Sequence, residues 1–236
     1  MFIWNEQNIK WFRDASAYTG FHKALAQKII PHLQPGVTLC DVGCGLGRLD
    51  LELAAYMSEI TALDLNGDVI KALCMDVGAA GVYNINARCC DAESFEGSFD
   101  YMIMSFVGLI DMRSILKRCR KKLIRIVGVG NKIIEDFYPI RYRRAENIME
   151  TVPFLRDELT SMGMKFELEL HAIEFGQPLR SWRDAELFVE TKAPEAGADE
   201  VNQLLNEKIR RTGREDFPFY LPKKKELGIF IIDKEK

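Results

Sequence analysis

The sequence holds no apolar run approaching the roughly 18–20 residues that a membrane-spanning helix needs. Its opening, "MFIWNEQNIKWF", has neither the basic start nor the continuous apolar stretch of a secretory signal. No C-x-x-C pair occurs among the six cysteines, Cys40, Cys44, Cys74, Cys89, Cys90 and Cys119, and adjacent Cys89 and Cys90 make a poor start for a disulfide framework or a zinc knuckle. We therefore expect small buried thiols in a reducing, cytoplasmic setting, with no metal and no membrane partner. A global basic field is also missing, since the net charge is −3, so nothing draws in nucleic acid wholesale. What remains is a chain of 236 residues, 47% hydrophobic and 28% charged, which suits a globular protein with a sizeable core. Its charge is uneven: residues 1–100 hold 7 Lys/Arg against 13 Asp/Glu, whereas residues 117–147 hold 10 against 3.

Periodicity organises the chain. In residues 6–33 apolar positions recur at three and four (Ile9, Phe12, then Phe21, Leu25, Ile29, Leu33), which predicts two helices broken near "YTG". After the "QPG" turn, "VTLCDVG" reads as a strand and "RLDLELAAYM" as a helix. "EITALDL", "VYNINARCC", "FDYMIMSF" and "KLIRIVGVG" read as further strands, with helices over "GDVIKALCMDVGAAG" and "LIDMRSILKRCRK". Such alternation argues for right-handed crossovers and a parallel sheet with helices on both faces. Runs such as "YMIMSF" fit strands buried on both sides. Past Gly130 the regularity falters, then resumes with helices over "VPFLRDELTSMGM", "SWRDAELFVETK" and "ADEVNQLLNEKIRRTG" and strands over "KFELELHAIEF" and "LGIFIID". The simplest layout is one α/β domain over 1–236: a helical arm at 1–35, a ligand-binding core at 37–130, a basic and aromatic insertion at 131–150, and the rest of the sheet with added helices at 151–236.

The chemistry concentrates in "LCDVGCGLGRLDL". Glycines between a buried strand and a helix admit φ > 0 and let a ligand approach the backbone. The helix beyond offers unpaired N–H groups. A dinucleotide fingerprint, G-x-G-x-x-G, would need a glycine at 48, where the chain has Arg48; the pattern is D-x-G-x-G-x-G instead. Asp41 ahead of the glycines would repel a pyrophosphate and suits an ammonium group. Asp64, ending the next strand 17 residues after Gly47, can accept hydrogen bonds from both hydroxyls of a ribose. Asp91, ending the third, could accept from an exocyclic adenine amine, or could simply begin a turn. Together the three acids describe a ligand with an amine, a ribose and an adenine, and no phosphate.

These stretches, "LCDVGCGLG", "ITALDLN", "RCCDAESF" and "FDYMIMSFVG" in that order, resemble the class I (Rossmann-like) S-adenosylmethionine-dependent methyltransferases. The resemblance implies a doubly wound, mostly parallel seven-stranded sheet whose last strand, "LGIFIID", is antiparallel. It implies S-adenosylmethionine as cofactor and S-adenosylhomocysteine as product. It places the methionine part on Asp41, Gly43, Cys44, Gly45 and Gly47, the ribose on Asp64 next to Leu65, and the adenine on Asp91 with Ala92. Ser105 and Phe106 would face the transferred methyl.

The acceptor is less defined. The Asn/Asp-Pro-Pro-Tyr/Phe motif common among enzymes that methylate amines of bases or glutamine is replaced here by "SFVG". Cys119, in "KRCRK", lacks the proline setting of a cytosine-methylating nucleophile. No catalytic residue is named, because positioning alone can suffice for methyl displacement. Substrate candidates are Tyr18 and His22, four apart and on one face if their helix is continuous, and Tyr138, Arg141 and Tyr142 in "YPIRYRR", which could bind a carboxylate or phosphate, stack a base, or form a solvated loop. We expect a small-molecule substrate, anionic or aromatic. The alternatives are an RNA or protein methyltransferase docking through the basic 117–147 stretch, and a catalytically silent cofactor-binding module.

Overall fold

The apolar segments of the first half become the middle of a sheet because each is shielded on both faces. β1 (Thr38–Val42) is buried from its second residue onward, and β4 (Phe99–Ser105) buries Tyr101, Met102, Ile103 and Met104 in succession. The computed structural model describes residues 3–108, 110–130 and 151–234. With β2 (Glu59–Asp64), β3 (Ile85–Cys89), β5 (Cys119–Gly128), β6 (Phe166–Glu174) and β10 (Lys224–Asp233), these strands form a seven-stranded sheet of order β3-β2-β1-β4-β5-β10-β6. The pairs β3–β2, β2–β1, β1–β4 and β4–β5 are parallel, and β10 runs antiparallel to β5. The expected sheet and its antiparallel closing strand are therefore present. Among the described residues there are eight α-helices, none long and apolar enough to cross a membrane.

The order of strand addition reverses between β1 and β4: successive strands step outward through β2 and β3, then restart beside β1. In open α/β sheets this switch point leaves a crevice at the carboxyl ends of the strands, where ligands bind. Register brings the strand ends level there, with Asp41 opposite Ala62 and Ile103, and Asp64 opposite Cys89. Helix α3 (Arg48–Leu53) follows β1 directly and is shorter than its sequence pattern suggests. Helix α4 (Gly67–Ala80) starts where the Asn66 side chain accepts from the Asp68 and Val69 N–H groups and stops at Gly81, φ 64°. Helix α5 (Met112–Arg118) precedes β5, and α6 (Val152–Ser161) precedes β6.

The chain divides into two compact units, each discontinuous in sequence. Of the described residues, the larger holds 22–108, 110–129, 151–172 and 226–234, and with them most of the sheet; α2 (Phe21–Ile29) lies almost wholly within it. The smaller draws on 3–21, 130 and 173–225. Its antiparallel sheet has the order β7-β9-β8, from β7 (Gln177–Leu179), β8 (Arg210–Arg211) and β9 (Phe219–Leu221). Strands of two and three residues leave no periodicity to read, and the sequence pattern did not predict this sheet. Its core gathers Leu179, Val189, Val201, Leu204, Leu205 and Leu221 from β7, β9, α7 (Trp182–Lys192) and α8 (Ala198–Lys208).

The aromatic residues of α1 (Glu6–Thr19) anchor this smaller unit. Trp11 is 2% exposed, meets the Phe188 ring edge-on, and donates from Nε1 to Asp184 Oδ1 at 3.0 Å. Two contributions can be separated by substitution. Trp11→Ala is expected to cost about 3–5 kcal/mol of stability, and Trp11→Phe, which mainly leaves Asp184 without its donor, about 1–2 kcal/mol, both measured by urea unfolding.

Candidate active site

The turn after β1 is built from backbone. Gly43, Gly45 and Gly47 have φ of 75°, 54° and 57°, a left-handed run that side chains resist. The N–H groups of Gly43 and Cys44 both donate to the Leu63 carbonyl, at 2.7 and 2.9 Å, fastening the turn to the end of β2. Gly43 has a second reason to be bare, since a Cβ there would lie 2.5 Å from Val107 Cγ2. A Cβ on Gly47 would collide with the Leu73 side chain of α4. Arg48 turns away from the strand ends, its Nη1 lying 3.3 Å from Asp76 Oδ2 on α4.

Asp64 bridges the two turns at the sheet edge. Its Oδ2 accepts from the Gly45 N–H and its Oδ1 from the Asn66 N–H, each at 2.9 Å. The carboxylate is thereby fixed in orientation while keeping lone pairs for hydroxyl donors. Leu65 beside it is 63% exposed, an apolar surface at the strand end. Asp91 follows β3, and its Oδ1 accepts from the Glu93 N–H at 2.9 Å, capping a turn, while Ala92 is buried. Arg118 holds this turn from α5: its guanidinium donates to the Phe95 carbonyl at 2.6 Å and also to the Ala92 carbonyl. At the end of β4, Ser105 is half-buried, and Phe106 is the one non-glycine residue with positive φ, 53°, among the described residues. Its N–H donates to the Ile126 carbonyl at 2.9 Å.

Asp41 is 3% exposed, and its Oδ1 finds no hydrogen-bond partner among the described residues. Asp50, in the first turn of α3, is fully buried, and neither of its oxygens finds a donor. The two carboxyl groups meet each other, a contact that closes only when one carries a proton. Burial raises both, with the negative neighbour adding to the rise at Asp41, and Asp50 is pushed up to about 7.

Residues 39–126 match the family model described as "Methyltransferase domain". That stretch is a methyltransferase domain. No curated protein matches the chain in sequence. Among solved structures, a putative methyltransferase from Bacillus halodurans C-125 is 15% identical, with a TM-score of 0.59 over 91% of this chain and 99% of its own. The magnesium protoporphyrin IX methyltransferase of Synechocystis PCC 6803, crystallised with S-adenosylhomocysteine, is 13% identical, with a TM-score of 0.56 over 100% and 90%. The YcgJ protein of Bacillus subtilis is 12% identical, with a TM-score of 0.58 over 92% and 99%. At these identities the likeness is one of fold.

The methyltransferase domain thus brings Asp41, the glycine turn, Asp64 with Leu65, Asp91 with Ala92, and Ser105 with Phe106 to one edge of one sheet. Tyr18 and His22 do not share a helix. An uninterrupted helix would have given them a common face, but α1 ends at Thr19, Gly20 takes φ 65°, and α2 begins at Phe21. The Tyr18 ring stacks on Tyr220 and meets Phe217 edge-on. Tyr138, Arg141 and Tyr142 lie outside the described residues, as does the whole 131–150 insertion. Sequence reasoning missed Asp50 and Arg118. Asp50 had a visible signal: with Leu49 and Leu53 it falls on the buried stripe of α3, where spacing calls for an apolar residue.

The buried pair has a consequence for the ligand-free domain. A carboxyl whose folded pKa lies above its unfolded value, about 3.9, binds more protons folded than unfolded at intermediate pH. Its stabilising contribution is complete below the unfolded value and is lost as pH rises through the folded one. Without ligand, stability is therefore expected to fall from about pH 4 to beyond pH 7, and Asp50→Asn to flatten that slope and raise Tm at neutral pH. Thermal unfolding across pH checks both; a slope identical in the variant would contradict the assignment.

Proposed function

We propose that this chain transfers the methyl group of S-adenosylmethionine to a small-molecule acceptor, anionic or aromatic, releasing S-adenosylhomocysteine. One observation carries the cofactor assignment: a buried carboxylate oxygen without a donor among the described residues, Asp41 Oδ1, stands behind a glycine turn too tight for side chains. A buried acceptor of that kind matches an ammonium group, and Asp64, oriented by two N–H groups, matches a ribose. The residues therefore fit S-adenosylmethionine. Asp41, Gly43, Cys44, Gly45 and Gly47 would hold its methionine end, Asp64 its ribose, and the Asp91–Ala92 turn, braced by Arg118, its adenine.

S-adenosylmethionine supplies a methyl on a positively charged sulfur, open to direct displacement. The domain's part is to align the incoming nucleophile and keep water out. Ser105 and Phe106, at the end of β4, would border the methyl. No base is assigned.

The described half of the basic stretch supports a small acceptor over RNA or protein. Arg118 is committed to two carbonyls, Arg120 and Lys121 lie 3.2 and 3.8 Å from Asp100 oxygens, and Lys122 lies 3.4 Å from Asp233. Arg125 is 1% exposed. Pairing of this kind makes these cations less available to a phosphate backbone.

Asp64→Ala should raise the Kd for S-adenosylmethionine at least about 100-fold, the loss of two hydrogen bonds to a charged acceptor, read by calorimetry. Near-native affinity would overturn the cofactor assignment. For the acceptor, methyl-labelled cofactor is incubated with the protein and separate small-molecule, RNA and protein fractions of a cell extract. Label in the low-mass fraction supports the proposal. Label in RNA or protein, or no transfer by a chain that binds the cofactor, overturns the acceptor reading.

A further inference from the structure

We propose that Asp50 is a positioning residue of the methionine subsite, sharing one proton with Asp41, and that this proton leaves for solvent when the ligand's ammonium group seats against the pair. The inference rests on the cofactor reading above and adds to it a second carboxylate and a proton.

The geometry carries it. Asp41 and Asp50 are 3% and 0% exposed, and three of their four oxygens are buried without a donor among the described residues. Two carboxyl groups in contact and out of water cannot both be charged, so the ligand-free pair retains a proton. The surroundings do not relieve it. The charges acting on Asp41 are Asp50 from α3 and Asp64 from β2, both negative. The flanking thiols of Cys40 on β1 and Cys44 in the turn are pushed up by burial and stay neutral, and Arg118 from α5 acts on Cys40. A cationic ligand changes the balance. An ammonium placed beside Asp41 favours the ionised pair, and the displaced proton passes to solvent. Asp50 acts through Asp41: it keeps Asp41 protonated without ligand and accepts its share of the charge with ligand. The pair titrates as a unit.

Calorimetry of the full chain with S-adenosylmethionine, in two buffers of different ionisation enthalpy, tests this directly. Below the α-amino range of about 7.7–8.0 the ligand keeps its own charge. Between about pH 5.5 and pH 7 we expect release of up to about one proton per site and a Kd that falls up to about tenfold per pH unit. S-adenosylhomocysteine, with the same ammonium and no sulfonium, should release as much. 5′-Methylthioadenosine, which lacks the amino acid, should release none. Asp50→Asn, whose amide can donate to an ionised Asp41, should bind S-adenosylmethionine with little proton release and a nearly flat pH profile. Binding by the unmodified chain without proton release overturns the inference even if the variant does not fold. So does equal release with 5′-methylthioadenosine or by Asp50→Asn. No binding at any pH would instead overturn the cofactor reading, and the inference with it.

Discussion

Asp41 lies one residue from the end of a strand sandwiched between two others, where its Oδ1 is out of water and meets no donor among the described residues. Burying an ionised carboxylate without partners costs several kcal/mol, so a fold that keeps one must either protonate it or hold it for a cation. The rest of the sheet edge follows from that constraint. β1 is held from both sides by parallel neighbours, which fixes the carboxyl group in place when no ligand is present. Around it the chain turns on glycine, because a side chain at Gly43 or Gly47 would strike Val107 or Leu73. The result is a ligand site whose walls are main chain and whose charge is negative, unsuited to a phosphate and suited to an amine.

The strand order makes the site composite. Asp41, Asp64 and Ser105 come from three strands that are adjacent in the sheet although far apart in the chain, and register sets them at one edge. Asp64 also links the turns after β1 and β2 through Gly45 and Asn66, so moving one turn would move the carboxylate that the other needs. Arg118 does the same for the turn after β3, drawing two of its carbonyls toward α5. Asp64 and Asp91 are therefore oriented by backbone groups rather than by another side chain's charge, which leaves their remaining lone pairs for the ligand.

The turn after β1 was legible in sequence because its determinants are local: a strand closing on an acid, glycines at alternate positions, then a helix. A parallel sheet with helices on both faces followed from the alternation of apolar runs and helical periods, and the antiparallel β10 from the family resemblance. Two kinds of feature escaped. The small sheet of β7, β8 and β9 is made of strands too short to carry a period, and β7 lies far in sequence from its partner β9. Charge pairing is the other: within the basic surplus at 117–147, Arg118 meets main-chain carbonyls and Arg120, Lys121 and Lys122 lie near Asp100 and Asp233, while Lys117 is exposed. Net charge along a segment says nothing of pairing across the fold. Tyr18 and His22 failed as a pair for a simpler reason, since spacing of four means a common face only where the helix continues, and Gly20 ends it.

Phe106 shows how the two halves of the site depend on one another. A left-handed backbone costs an ordinary residue about 1–2 kcal/mol, more than a bulky aromatic would sustain without support. The support is visible: β4 continues its pairing with β5 one residue beyond the strand, through the Phe106 N–H and the Ile126 carbonyl at 2.9 Å. That turn of the backbone delivers the next residue, Val107, against Gly43. A relaxed, extended Phe106 would carry Val107 elsewhere, and the space that keeps Gly43 bare would open. The strained residue at the proposed acceptor side and the glycine at the cofactor side are thus two ends of one packing arrangement. A change at the end of β4 should therefore be felt in cofactor binding as well as in the choice of acceptor.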